Sequence, residues 1–347
     1  MTLEAKFEKK LLTFNFDAGT SRGVLKEKPT WILNVYDKNN PSVKGTGECS
    51  PIWGLSPEKE NEYEAKLEEV CKEINHFELL LKIELLPYPS IYFGLETALM
   101  DLFKGGRKII FDTPFTDGKE GIKINGLVWM STIDEMYASA IQKHKEGFNC
   151  IKLKIGAQNL SNELELLKTL RKEFGNEVQL RCDANGAFDF ETAKEVLSEL
   201  KSLHIHSVEQ PLKPGMIEET KKLCELNLIP VALDEEMIGI YKTDEKEKLI
   251  DYIKPQYIIL KPSLHGGFLG IREWIAIAEK NNSDWWITSA LESNIGLNAI
   301  AQYTYQTKKG GYHGLGTGKI YANNFNSPLT IKGEELFHLP ENKWDEL

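Results

Sequence analysis

Five charged residues recur along this chain at nearly constant spacing: Lys154, Asp183, Glu209, Asp234 and Lys261, with gaps of 29, 26, 25 and 27 residues. Each stands at or near the end of a short apolar run, in CIKLKIG, VQLRCDAN, HSVEQP, PVALDEE and YIILKPS. The interval is that of one strand plus one crossover helix, and a chain that repeats it has few folds open to it. Alternating strands and helices make a parallel sheet. Consecutive parallel strands deliver all five side chains to one end of that sheet. Three carboxylates bracketed by two lysines then describe a metal site with a base on either side.

The repeat extends beyond those five. From about residue 122 the strand-like runs begin with KINGLVWM and end with DWWITSALES and GYHGLGTG, giving eight strands and seven intervening helices. Eight units in about 200 residues suit a closed barrel better than an open sheet. The first hundred residues differ. FEKKLLTFNF, GVLKEKPTWILNVYD and KGTGECSP alternate apolar and polar positions, as antiparallel strands do. A helix is expected from the Ser56-Pro57 start signal onward. A second, SIYFGLETALMDLFKG, is apolar nearly all round and so packs between layers. The fold class is therefore α/β: a (β/α)7β TIM-like barrel over 111–320 with an α+β capping domain over 1–110. The segment 321–347 is expected to pack back on the cap.

Side chains alternate faces along a strand. In Ile151-Lys152-Leu153-Lys154-Ile155 both lysines share one face, pointing into the barrel, while the aliphatic residues pack outward. Arg181, Asp183 and Asn185 point inward by the same logic. Barrel active sites lie at the C-terminal ends of the strands, where these residues fall. Asp183, Glu209 and Asp234 are hard oxygen donors with no Cys or His among them, which selects Mg2+, or Mn2+ as its substitute, over zinc. The alternative is three unrelated strand-end acids. One acid per successive strand, in phase with two lysines, argues against it. Two ammonium groups ~6.6 Å apart along a strand repel by about 2.5 kcal/mol at an effective dielectric of about 20. Alone, that repulsion would bring one lysine from about 10.4 to near 8, a usable general base, while the metal cluster, formally −3 plus +2, opposes part of the shift and leaves its net sign open. A divalent metal beside such a base suits removal of a proton α to a carboxylate.

Net charge is 42 minus 52, or −10, which argues against a nucleic-acid partner. No apolar run approaches the ~20 residues that span a bilayer. The N-terminal MTLEAKFEKKLLTF lacks the h-region of a secretory signal. The five cysteines are scattered without CxxC spacing. A cytoplasmic enzyme with reduced thiols is expected. Its partner is a small carboxylate, and further copies of the chain are the one protein partner left open.

The chain resembles the enolase superfamily, muconate-lactonizing subgroup, over nearly its whole length. The matching elements are Lys152-x-Lys154, Asp183-x-Asn185, Glu209-Gln210-Pro211, Asp234-Glu235 and Lys261-Pro262. The resemblance implies that Asp183, Glu209 and Asp234 bind Mg2+ and that Lys154 is the general base. It implies that Lys152 assists Lys154 and contacts the substrate carboxylate. Lys261 becomes either a second base or a cation beside the intermediate, and Asn185 and Glu235 support the metal ligands. Within the subgroup, INGLVW at 124–129, SALESNIG at 289–296 and GLGTG at 314–318 resemble one set of members. These dehydrate 2-succinyl-6-hydroxy-2,4-cyclohexadiene-1-carboxylate to an aromatic product in menaquinone biosynthesis. On that reading Ser293 and Asn294 face the succinyl arm; the competing reading makes Ser293 a helix N-cap. Cap loops at 19–23 and 48–54 set specificity, with Arg22 as a bidentate donor to a carboxylate and Trp53 as a pocket wall. Arg22 also reads as a solvated loop charge. The rival functions are an N-acylamino acid racemase or cycloisomerase of the same subgroup, and a barrel that binds metal or ligand without turnover. Dipeptide epimerases of the subgroup carry Asp-x-Asp near the eighth strand, where this chain reads GLGTGKIYANN, without acids.

Overall fold

Alternating patterning in the first fifty positions produces three long antiparallel strands, β1 (Leu3–Thr20), β2 (Gly23–Asp37) and β3 (Asn40–Cys49), paired in that order. The computed structural model describes residues 2–20, 23–307 and 310–345. The inner face of this sheet carries Trp31, Leu33, Val35 and Cys49, all buried. Two helices cover it, α1 (Glu60–Lys72) and α2 (Pro89–Phe103). The second lies directly on β3. A Cβ at Gly47 would stand 1.9 Å from the Gly94 carbonyl oxygen, so only glycine permits the approach. As expected of an all-round apolar helix, α2 is buried along nearly its whole length. The first helix begins later than the Ser56-Pro57 signal suggests. The Ser56 hydroxyl accepts from the Ile52 amide at 2.8 Å, so the signal closes the turn at 52–56 and the helix starts at Glu60.

KINGLVWM does not form one strand. Its first residue, Lys123, belongs to β4 (Ile122–Lys123), which pairs antiparallel with a C-terminal hairpin, and only β5 (Gly126–Val128) joins the parallel sheet. That sheet continues through β6 (Cys150–Lys154), β7 (Gln179–Asp183), β8 (Ser207–Glu209), β9 (Val231–Leu233), β10 (Tyr257–Leu260) and β11 (Asp284–Ile287), seven strands in sequential order. The eighth stave is reduced to His313 and Gly314. They bridge to Ile124 on one side and Thr288 on the other, closing the barrel with bonds such as Asn125 N to His313 O at 3.0 Å. Seven helices alternate with these strands: α3 (Ile133–Lys145), α4 (Leu160–Phe174), α5 (Phe190–Ser202), α6 (Ile217–Leu226), α7 (Thr243–Ile253), α8 (Gly267–Lys280) and α9 (Asn294–Thr307). Several open on the residues their sequence advertises. Thr132 and Glu135 form a capping box, and Asn159 and Asp189 cap α4 and α5. The aliphatic positions Ile151, Leu153, Leu180 and Cys182 pack outward into one continuous helix–sheet core.

The C-terminal segment returns to the first sheet around residue 320, where Asn15 N donates to Ile320 O and Ala322 N to Thr13 O, both at 2.8 Å. Beyond that, β12 (Leu329–Lys332) and β13 (Glu335–His338) pair with each other and with β4, at the opposite end of the barrel from the strand C-termini.

Candidate active site

Register brings the charged residues together. Lys154 stands opposite Asp183, Asp183 opposite Glu209, and Glu209 opposite Ala232, across four consecutive parallel strands. Asp234 follows Ala232 by two residues and so returns to the same face. Lys261 is the first residue past β10. All five, with Lys152, line a cavity of about 970 Å3 between the strand ends and the first sheet.

The lysines are bound to the acids. Lys152 Nζ donates to both Glu209 oxygens at 2.7 Å and meets Asp183 Oδ2 at 3.0 Å. Lys154 Nζ reaches Asp183 Oδ2 at 3.2 Å and Asn185 Oδ1 at 2.5 Å. Lys261 Nζ donates to Asp234 Oδ2. Asn185, in the left-handed region at φ 43°, passes its own amide to Glu235 Oε1 at 3.0 Å. Burial disfavours the Lys152 ammonium, but Asp183 and Glu209 outweigh it and hold that group well above the ordinary lysine range. Lys261 is likewise raised against its burial, chiefly by Asp234. The expected repulsion between neighbouring ammonium groups therefore does not govern Lys152: its nearest charges are anions. Burial pushes Asp183 up, but Lys152 and Lys154 hold it well below the usual carboxylate range. Burial and the adjacent Asp183 push Glu209 up to about 7, and burial raises Asp234 against the pull of Lys261.

The expectation of three acids converging on one ion is not met by the side chains as they stand. Among the described residues no three His, Cys, Asp or Glu side chains are grouped to hold a metal, because each acid is turned to an ammonium group. Two observations fit a cation nonetheless. Asp183 and Glu209 already converge on a single positive centre, Lys152 Nζ. Asp234 Oδ1 is buried with no hydrogen-bond partner, a cost that a cation would relieve.

Around the charges the wall is mostly apolar. Phe16, Leu25, Ile52 and Trp53 come from the first sheet and its loops, Trp129 and Leu291 from barrel loops. Trp53 is half-buried and packs edge-on to Trp31 and Tyr63 at 6.1 and 5.4 Å between ring centres. Phe16, edge-on to Trp129 at 5.4 Å, carries no sequence signal that would have marked it. Ser289 and Thr317, hydroxyls 2.6 Å apart, face the cavity from the seventh and eighth staves. Ser293 and Asn294 do not line it. Ser293 donates its hydroxyl to Glu48 at 2.5 Å while accepting from Ile295 N at 3.2 Å, the capping role of the competing reading. Asn294 donates to the Phe325 carbonyl at 2.6 Å. Arg22 lies outside the described residues.

Residues 135–340 match the family model for the enolase C-terminal domain-like proteins, and the chain belongs to the enolase superfamily. A relative of Desulfotalea psychrophila, o-succinylbenzoate synthase, is 37% identical over 363 aligned positions, covering 95% of this chain and 98% of that enzyme. The crystal structure of MenC from the same organism superposes with a TM-score of 0.85 at 34% identity, covering 96% of this chain and 99% of that one. A dipeptide epimerase from Cytophaga hutchinsonii, solved with Mg and the dipeptide D-Ala-L-Val, shares the fold at a TM-score of 0.84 and 22% identity, over 100% and 97% of the two chains.

Proposed function

We propose that the chain is an o-succinylbenzoate synthase, a hydro-lyase that removes water from 2-succinyl-6-hydroxy-2,4-cyclohexadiene-1-carboxylate. The observation that carries this reading is near-full-length similarity to such an enzyme over a site that keeps lysines on both sides of three carboxylates. Substrate binds between a cap of residues 1–110 and a barrel of residues 111–320, in the cytoplasm; the five cysteines are free. Asp183, Glu209 and Asp234 hold the metal, Mg2+ or Mn2+. A divalent cation held there would supply positive charge to the substrate carboxylate oxygens as they gain charge in the enediolate.

Lys154, once neutral, takes the proton from the ring carbon that bears the carboxylate. Asn185 orients it through the 2.5 Å bond. Lys152 stays charged and contacts the substrate carboxylate, and Lys261 places a second ammonium beside the enediolate from the opposite wall. The neighbouring C–O bond then breaks, hydroxide leaves with its electron pair, and the ring becomes aromatic. Aromatisation makes the step downhill, so protonation of the departing group needs little assistance. The apolar wall of Phe16, Leu25 and Trp53 excludes water from the ring.

The opposed lysines also suit a racemase of N-acylamino acids, the second reading. A dipeptide epimerase is disfavoured, because the cavity side of the eighth-stave loop presents Gly314, Gly316, Thr317 and Lys319 and no acid for a substrate ammonium. An ultraviolet assay with the cyclohexadiene carboxylate is the test. Turnover is expected, with loss in chelator and a fall of roughly 10^2–10^4-fold in Lys154→Ala. Undiminished turnover in either control rejects the mechanism. Inert cyclohexadiene together with solvent-deuterium exchange into N-acylamino acids transfers the assignment to the racemase.

A further inference from the structure

Two acids outside the cavity hold the loops that form it. The helix α8 begins with Gly266 and Gly267 and has no side-chain cap of its own. Its first amides are instead taken by Glu96 on α2: Phe268 N donates to Oε2 at 2.6 Å and Leu269 N to Oε1 at 3.3 Å. A Cβ at Gly267, where φ is +66°, would stand 2.3 Å from that Oε2, so the glycine is what admits the carboxylate. Glu48, on β3 and fully buried, does the same for α9. It accepts from Ser293 N and Gly296 N, each at 2.8 Å, and a Cβ at Gly296 would stand 3.0 Å from its Oε2. An acid at a helix N-terminus satisfies orphan amides and meets the positive end of the dipole.

These helices open immediately after two walls of the site. Lys261 is wound onto the start of α8. Its carbonyl accepts from Leu264 N and His265 N at 2.9 and 3.0 Å, its amide donates to His265 Nδ1 at 3.1 Å, and Pro262 O accepts from Gly267 N at 2.9 Å. Residues 288–291 line the cavity just before α9. Glu292 joins the two loops, accepting from Ser263 Oγ through Oε1 and from Ala290 N through Oε2, the latter at 2.7 Å. A shift of either helix terminus is therefore passed to the reacting groups.

We propose that Glu48 and Glu96 are positioning residues: carboxylates of the first sheet and its covering helix that set, by capping α8 and α9 across the interface, where Lys261 and the 288–291 wall stand. The inference rests on Lys261 acting in the site as proposed above. It differs from simple docking in what it does to the chemistry. Glu96→Gln keeps one acceptor oxygen and the side-chain volume but loses the charge and the second acceptor. It is expected to lower kcat roughly tenfold with KM within about twofold of the parent, since misplacement of a catalytic group acts on kcat. In a Lys261→Arg background the same substitution is expected to change kcat by less than about twofold, because the group it positions has gone. Glu48→Gln, acting on the wall, is expected to raise KM more than it lowers kcat.

Amide exchange in 261–270 is expected to quicken in Glu96→Gln without any substrate. That arm decides the inference even if the cyclohexadiene is not turned over, in which case the functional reading alone fails. Parental kcat in Glu96→Gln, an equal loss on both Lys261 backgrounds, or unchanged exchange would each overturn the proposal. So would a Glu96→Gln protein that cannot be purified folded, because docking would then be the role of Glu96.

Discussion

Asn185 shows how one residue ties backbone geometry to a reacting group. Its side chain bridges Lys154 and Glu235, and its backbone sits at φ 43°, a conformation Asn tolerates better than most residues. Asn185→Gly keeps that backbone and deletes the bridge. It is expected to lower kcat about 10–100-fold, the usual effect of removing a group that orients a metal-site side chain, with little change in thermal midpoint. Asn185→Ala adds backbone strain of about 1 kcal/mol. A kcat for the glycine variant equal to the parent would remove Asn185 from the orientation of Lys154. The lysines make a related point. Spacing alone places Lys152 and Lys154 on one face, but Lys152 reaches across two strands to Glu209. That pairing depends on neighbours that no local reading supplies.

At the scale of elements, the termini carry the information. The α2 helix opens at Pro89, and its second amide, Ser90 N, donates to Glu58 Oε1 at 2.7 Å, while Glu58 Oε2 is buried without a partner. Burial pushes the Glu58 carboxyl up to about 7, although the Ser90 bonds oppose it. A raised acid favours the folded state fully below its unfolded pKa, and that contribution is lost as pH rises through the folded value. The stability of the parent relative to Glu58→Gln should therefore fall by about 2–3 kcal/mol between pH 4.5 and 7.5. Denaturant titrations of both proteins across that window measure it, and a flat difference would contradict it. KINGLVWM illustrates the limit of periodicity at this scale. A continuous strand-like run belongs to two sheets, because the C-terminal hairpin pairs with its first residue, Lys123, while Gly126–Val128 pair with β6.

For the whole molecule, the interface between the first sheet and the barrel is polar and buried. Besides Glu48 and Glu96, Lys28 Nζ donates to Ser50 Oγ, and burial lowers its pKa to about 8 against the pull of Glu48 and Glu292. Ile110 N donates to Gln302 Oε1 at 2.8 Å, and Phe93 meets Phe268 edge-on at 5.6 Å. Separating the two parts would exchange the crossing bonds of Glu48, Glu96 and Gln302 for bonds to water, each at a net cost of about 0.5–1.5 kcal/mol, and expose the apolar surface between Phe93 and Phe268. Calorimetry should accordingly show one cooperative unfolding transition, with matching van't Hoff and calorimetric enthalpies. Two resolved transitions would show that the interface contributes little.

The repeat of strand and helix, the end of the sheet at which the charges collect and the identity of that charge set were all legible in the order of the residues. Those depend on spacing and alternation, which are local and therefore readable. Which anion each ammonium group meets, the turn of Ser293 to Glu48 and away from the cavity, and the capping of helices α8 and α9 from another layer emerge once the chain is folded. Those bonds join residues 245 and 172 positions apart. Satisfying a buried charge or an orphan amide is a demand that the local chain sets, but it can be met by any group the fold brings within about 3 Å.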